Sequence, residues 1–211
     1  MELDQLGWNL LTLSLVGTIS FSVLGAIGLW KQSGAIWKLK SGKSVSVSYM
    51  SFYFCYFAAG LIHSLSLDDK LITLAIHCFG RMAFHVPILI GLWKFKRFTA
   101  KEKVLSSLFF LGLLFAVVPS NRETLFLIYS VGSIAAYIAQ PVEIIINKDS
   151  GSVETVLHWI YLASASFWAL YGFVADDFVL KWTAPPNIPI SIITIIICLK
   201  YKNTSKQVAL G

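Results

Sequence analysis

The sequence carries very little charge, and this scarcity excludes an ordinary soluble domain. Only 13% of the 211 residues are Asp, Glu, Lys or Arg, while 56% are hydrophobic. A typical globular domain contains about 25% charged residues. Because a helix needs about 20 apolar residues to cross the hydrocarbon core of a bilayer, the composition predicts a membrane protein with several crossings.

Cysteine is also scarce, and the sequence lacks several chemical signatures. Cys55, Cys78 and Cys198 fall within apolar stretches without disulfide or metal-site spacing, so buried free thiols are expected. The nucleotide-binding pattern Gly-x-x-x-x-Gly-Lys-Ser/Thr does not occur, which argues against an ATP-driven pump. Neither a nucleophile–base pair nor a metal cluster is apparent, so we expect no enzyme and no cofactor. The net charge is +6, but the basic residues form no patch with aromatic residues interleaved among them. Nucleic-acid binding is therefore not expected.

Seven apolar stretches can be distinguished, and each is predicted to form a transmembrane helix. The fourth is shorter than the others but lies between charged flanks. The seven stretches are Leu10–Trp30, Tyr49–Leu67, Leu71–Trp93, Val104–Pro119, Leu125–Ile146, Val156–Ala175 and Phe178–Leu199.

Basic residues are distributed unequally between the segments that join these stretches. Thirteen Lys and Arg residues fall on one side of the membrane and three on the other. The positive-inside rule places the thirteen in the cytoplasm. We therefore expect an integral multi-pass protein with its N-terminus outside or in a lumen and its C-terminus in the cytoplasm, in either the plasma membrane or an organelle membrane.

The two halves of the sequence share rare residues at one fixed offset. The pairs Asp68-Asp69 and Asp176-Asp177 lie 108 residues apart, and so do Gln32 and Gln140. Stretches one to three then correspond to stretches five to seven, which indicates an internal duplication. Two copies in the same orientation need one additional crossing between them, and the fourth stretch supplies it.

The predicted fold is therefore an all-α membrane protein with seven transmembrane helices in a three-plus-one-plus-three arrangement. Residues 1–98 form the first triple-helix bundle, 99–121 the linker helix, 122–203 the second bundle and 204–211 a short cytoplasmic tail. Parallel repeats of this kind are a transporter architecture whose solute site lies near mid-bilayer at the repeat interface.

The second half contains a series of short motifs: Gln140-Pro141, Ser152-Val153-Glu154, Trp168-Ala-Leu-Tyr171-Gly172, Asp177 and Pro186-Asn187. The first half contains fewer such motifs, namely Gln32, Lys43-Ser44 and the sequence from His77 to Gly80. These motifs, those of the second half above all, resemble the SWEET sugar transporters of the PQ-loop superfamily.

This resemblance implies a binding pocket formed by particular side chains. Trp168 resembles the family's pocket tryptophan, whose flat face can stack on a sugar ring. Asn187 resembles its sugar-binding asparagine, and His77 stands where the first repeat has the corresponding asparagine. Prolines around Asn187 predict a break in the seventh helix, which membranes tolerate where backbone is buried or lines a cavity. Ser164 is a further candidate for substrate binding.

The resemblance also implies gating residues. Tyr171 with Asp177 resembles an outer gate, and Pro141 resembles one of the prolines around which the bundles bend. Gln32 and Gln140 lie where a helix meets a basic loop, and we expect them to bond backbone groups near the bend. Gly60 occupies the first-half position equivalent to Trp168, which predicts open space on one side of the pocket.

The third stretch places ionisable residues deep in the membrane. His77, Arg81 and His85 are spaced four apart and share one helix face. A charge at this depth is by default functional and should face the bundle interior. They could bind an anionic or zwitterionic solute, couple transport to protons, or form an internal polar network. Glu143 is a candidate partner of Arg81.

Three functions follow from these observations. The first is a facilitative uniporter of small sugars that works by alternating access. The second is a proton-linked PQ-loop carrier of an amino acid or other charged metabolite that uses His77 and Arg81. The third, a sorting receptor similar to the KDEL receptor, is disfavoured because the outer loops are acid-rich. The expected partners are the solute, the lipid bilayer and, in a homo-oligomer, further copies of the chain.

Overall fold

The computed structural model describes residues 7–66, 72–150, 153–174 and 178–208. Asp177 and the Asp68-Asp69 pair lie outside these ranges. The described residues form α-helices and two short 3-10 segments and include no β-strand. The helices are α1 Leu10–Leu39, α2 Val47–Ser66, α3 Ile72–Phe95, α4 Ala100–Leu113, α5 Arg122–Asn147, α6 Thr155–Val174, α7 Phe178–Thr183 and α8 Asn187–Val208.

Polar caps and left-handed residues set the helix ends. The Asn9 side chain accepts a hydrogen bond from the Thr12 N–H at 2.8 Å and so caps the start of α1. Lys40 and Lys148 adopt positive φ angles of 48° and 50° and terminate α1 and α5. Thr99 begins α4 with a capping box. We call the end at which α1, α3 and α5 finish and α2, α4 and α6 begin the basic end.

The helices pack in the same order in each half of the chain. Helix α3 contacts both α1 and α2, and α8 contacts both α5 and α6. The halves meet where α1 contacts α6 and where α2 contacts α5. Six long helices therefore form a ring, and α4 packs outside it against α2.

The surface of this ring is apolar and its interior is partly polar, as expected in lipid. Exposed aliphatic and aromatic side chains occur on each long helix, while serines, two glutamines and an arginine are buried. Four helices in the described ranges are long and apolar enough to cross a membrane: Leu10–Leu39, Leu74–Phe95, Pro119–Asn147 and Leu180–Lys202. The chain is thus an all-helical membrane protein.

The shorter helices also have the required lengths. Helices α2 and α6 contain 20 residues each, or about 30 Å at the helical rise, which matches the hydrocarbon core. Helix α4 has 14 residues, or about 21 Å. A 3-10 turn at Leu114–Val117 extends it by about 8 Å.

The predicted break in the last apolar stretch is confirmed. Helix α7 ends at Thr183 and α8 begins at Asn187, with Pro185 and Pro186 between them. Proline has no N–H and its ring clashes with the preceding turn. Helices α3 and α5 each continue through a single proline, Pro87 and Pro141, whereas the chain breaks at the adjacent pair Pro185-Pro186.

Candidate functional site

A cavity of about 360 Å³ lies inside the ring of helices. Its walls come from α2 and α3 in the first half and from α5 to α8 in the second. This volume lies within the range of about 300–1,000 Å³ typical of small-molecule sites. Of the candidate residues from the sequence, the structure brings six to its wall: His77, Arg81, Ser164, Trp168, Tyr171 and Asn187.

Trp168 and Asn187 give the cavity unsatisfied polar atoms. The Asn187 Nδ2 donates to the Thr183 carbonyl at 2.9 Å, across the helix break. Its Oδ1 and the Trp168 Nε1 are buried without a hydrogen-bond partner among the described residues. Buried polar groups are normally paired, so an acceptor and a donor are both available to a bound molecule.

His77 joins the first half of the chain to this tryptophan. Its ring lies 5.1 Å from the Trp168 ring in an edge-to-face arrangement. The His77 Nδ1 is within hydrogen-bond distance of the Ser22 Oγ on α1. His85, two turns further along α3, contacts the Arg81 carbonyl at 2.7 Å through its Nδ1. All three predicted polar residues of this helix face are buried.

Arg81 lies where α1, α3 and α6 meet. Its Nη2 donates to the Phe21 carbonyl at 3.3 Å and to the Ser164 Oγ at 3.4 Å. The guanidinium carbon is 4.7 Å from the centre of the Tyr161 ring, a cation–π distance. A Cβ on Gly25 would lie 2.2 Å from that carbon. The missing side chain of Gly25 therefore makes room for the guanidinium group.

Four tyrosines form the cavity wall nearest the basic end, and sequence reasoning missed them. Tyr49 and Tyr53 come from α2, Tyr137 from α5 and Tyr161 from α6. Neighbouring rings in this cluster have centroids 4.8 to 6.1 Å apart. One signal was present, because Tyr53 and Tyr161 are themselves 108 residues apart. The cluster lies on the side of the cavity that faces the basic end.

The two glutamines make reciprocal contacts between the halves. The Glu154 N–H donates to the Gln32 Oε1 at 2.9 Å. The Ser46 N–H donates to the Gln140 Oε1 at 3.1 Å, and the Gln140 Nε2 donates to the Ser44 carbonyl at 2.7 Å. Both side chains are buried. Each glutamine thus bonds the backbone that precedes a helix of the opposite half.

Ion pairs add to these contacts at the basic end. The Lys96 Nζ is 2.6 Å from the Glu143 Oε1, and the Lys43 Nζ is 2.8 Å from an Asp149 oxygen. Each pair joins the first half of the chain to the second. The expectation that Glu143 pairs with Arg81 is therefore wrong: the long lysine at the end of α3 reaches Glu143 instead.

Gly60 does not line the cavity, in contrast to the sequence-based expectation of open space there. A Cβ on Gly60 would lie 2.7 Å from the Cys78 Sγ and 3.0 Å from the Phe126 ring. The space is filled by these neighbours, so Gly60 allows close packing of helices. Cys55, Cys78 and Cys198 are free and buried, as predicted.

The remaining gate candidates occupy different positions. The Tyr171 ring lies 5.8 Å from that of Trp168, at the cavity wall. Its expected partner Asp177 lies outside the described residues. Pro141 is buried within α5, next to Gln140. Towards the end opposite the basic one, the cavity wall includes His63 on α2 and Glu123 in the first turn of α5.

Comparison with known proteins confirms the resemblance inferred from the sequence. Residues 123–206 match the model of a transporter family described as sugar efflux transporters for intercellular exchange. The fold is similar to that of a eukaryotic SWEET transporter solved at 3.7 Å resolution, with a TM-score of 0.56 at 16% identity. The alignment covers 90% of this chain and 98% of that one. No curated protein matches the sequence.

The class of protein is thus a helical membrane protein with the SWEET fold. Its second half carries the sequence pattern of the SWEET sugar efflux transporters. The matched family consists of transporters and not of enzymes.

Proposed function

We propose that the chain is a facilitative sugar transporter, a uniporter that works by alternating access between two triple-helix bundles. Helices α1 to α3 form one bundle, α5 to α8 form the other, and α4 links them across a seven-span topology. The observation that carries this proposal is a central cavity bordered by both halves and separated from the basic end by contacts that join the halves. The family match over residues 123–206 supports sugar as the cargo.

The cavity chemistry suits a polyhydroxylated ring. Trp168 offers an apolar face for the C–H surface of a sugar and an N–H donor for a hydroxyl. Asn187 offers a free carbonyl oxygen that can accept from a second hydroxyl. The tyrosine wall adds hydroxyl groups beside aromatic faces.

Transport requires the basic end to open. We assign the basic end to the cytoplasm from the charge bias, so the described arrangement is closed towards the cytoplasm. The glutamine bonds and ion pairs between the halves must break for the solute to leave on that side. Each such contact stabilises the closed arrangement by only about 0.5–3 kcal/mol. The free energies of the closed and open arrangements can therefore differ by only a few kcal/mol, as interconversion requires.

The test is uptake of labelled neutral sugars by proteoliposomes. Trp168→Ala and Asn187→Ala should each lower the uptake rate at least tenfold, while the melting temperature in detergent shows a folded protein. Trp159→Ala is the matched control, because Trp159 lies on the same helix but is 53% exposed on the outer surface. Normal uptake by both cavity variants would contradict the proposed site.

A proton-linked carrier is the second candidate function. The favouring observation is His77, a buried ionisable ring that contacts both Trp168 and Ser22. Uptake driven by a pH gradient, and lost in His77→Gln, would support it. Uptake that is independent of the gradient would support the uniporter.

A further inference from the structure

Arg81 carries a charge that no carboxylate of the described residues balances. It is only 3% exposed and lies at the cavity wall. Salt bridges in the described part of the chain involve Lys43 and Lys96, both at the basic end. A buried charge without a partner is costly, and in lipid the cost is higher still.

Glu123, the acidic residue of the cavity wall, forms no ion pair with Arg81 in the described part of the chain. Arg81 lies against Tyr161, whose ring contacts that of Tyr137 on α5. Glu123 stands 14 residues before Tyr137 on the same helix, which is about 21 Å at the helical rise. Glu143, at the other end of α5, is held by Lys96.

The guanidinium group also retains unused donors. Arginine has five N–H donors, and the two bonds that Arg81 makes through Nη2 are long, at 3.3 and 3.4 Å. Its Nε is buried without a hydrogen-bond partner in the described ranges. The guanidinium group packs against Gly25 and the Tyr161 ring, which fix its position without neutralising its charge.

Taking the proposed transport function as its basis, we propose that Arg81 is an anion subsite and that the transported solutes include sugar acids. A single carboxylate, as in a hexuronate, balances one guanidinium charge, whereas the dianionic phosphate of a sugar phosphate leaves an excess negative charge. The carboxylate accepts hydrogen bonds from the guanidinium edge. Trp168 and Asn187, on the same cavity wall, then contact the ring and its hydroxyls.

The test compares labelled glucuronate with labelled glucose in proteoliposomes under a fixed membrane potential. The wild type should take up both in a saturable manner, and glucuronate should compete with glucose. Because glucuronate carries a net charge, an inside-positive potential should accelerate its uptake and leave glucose uptake unaffected.

Arg81→Gln should reduce the ratio of glucuronate to glucose uptake by about ten- to a hundredfold, the size expected for a lost charge-assisted hydrogen bond. Arg81→Lys keeps the charge without the planar fork and should give an intermediate ratio. If the variants do not fold, glucuronate competition and potential dependence in the wild type carry the test.

The possible failures are distinguishable. If the protein takes up glucose but not glucuronate, and glucuronate does not inhibit glucose uptake, the anion subsite is overturned. The proposed transport function then remains intact. A ratio that is unchanged in a folded Arg81→Gln would overturn the assignment to Arg81. Folded wild-type protein that moves neither solute would overturn the proposed function itself.

Discussion

Gln32 and Gln140 occupy equivalent positions in the two halves, and each accepts a hydrogen bond from the backbone of the other half. The donors, Glu154 and Ser46, are separated by the same 108 residues as the two glutamines. Equivalent residues therefore make equivalent contacts in opposite directions. This is the contact pattern that two parallel repeats around a twofold axis require, and it supports the three-plus-one-plus-three proposal.

Loss of Gln140 should favour opening of the basic end. Gln140→Ala removes two buried hydrogen bonds between the halves and leaves their backbone partners unsatisfied, at a cost of about 1–3 kcal/mol per group. The measurement is a spin-label distance between Lys40→Cys and Lys148→Cys, two exposed positions at that end. The fraction of molecules with the longer spin-label distance, open at the basic end, should be at least fivefold larger than without the Gln140→Ala change. An unchanged distance distribution would show that these bonds do not hold the halves together.

The Lys96–Glu143 ion pair should show coupling in a double-mutant cycle. Glu143→Gln leaves Lys96 with one acidic contact fewer at the basic end and should lower the melting temperature. The double variant Lys96→Gln with Glu143→Gln should lose less stability than the two single variants added together if the two charges act as a pair. A double variant no better than the sum of its single variants would indicate that the pair contributes little.

Gly25→Ala should disturb Arg81. The added Cβ would overlap the guanidinium carbon at 2.2 Å, so the arginine must move, at a cost of about 1–3 kcal/mol. Thermal unfolding of the purified protein measures this loss. Gly34→Ala on the same helix is the control, because no atom lies within 4 Å of its added Cβ, and replacing an unhindered helical glycine stabilises by about 0.5–1 kcal/mol. Equal melting temperatures for the two variants would contradict the close packing of Arg81 against Gly25.

The capping box of α4 should make stability depend on acidic pH. Glu102 precedes the predicted fourth span. Burial alone would raise the pKa of its carboxyl, but hydrogen bonds from Thr99 and the Lys96 charge together hold the pKa below the ordinary value of 4.5. A carboxyl with a lowered pKa stabilises the fold above about pH 4.5 and loses this effect as the pH falls below it. The wild type should therefore melt above Glu102→Gln at pH 7, and the difference should shrink progressively as the pH falls below 4.5. A difference that stays constant as the pH falls would contradict this assignment.

The sequence predicted features that depend on local chemistry. Pro185 and Pro186 cannot continue a helix, so the break before Asn187 was predictable. Arg81 could not face lipid, so its position in the interior followed from its depth alone. The correspondence of Gln32 with Gln140 was visible as a repeated offset.

Features that depend on tertiary packing were not predictable. The partner of Glu143 is decided by the reach of Lys96, which no local pattern encodes. Gly60 appeared to leave open space, but Cys78 from the neighbouring helix fills it. The tyrosine wall draws on three helices, so no single stretch of the sequence reveals it.

Reversible cross-linking of the basic end tests the central claim most directly. Lys43→Cys with Asp149→Cys replaces an ion pair that joins the two halves, and the native thiols are buried. A short cleavable bifunctional thiol reagent should abolish sugar uptake by this variant, reduction should restore it, and Lys43→Cys alone should be unaffected. Undiminished uptake by fully cross-linked protein would contradict transport by separation of the two bundles.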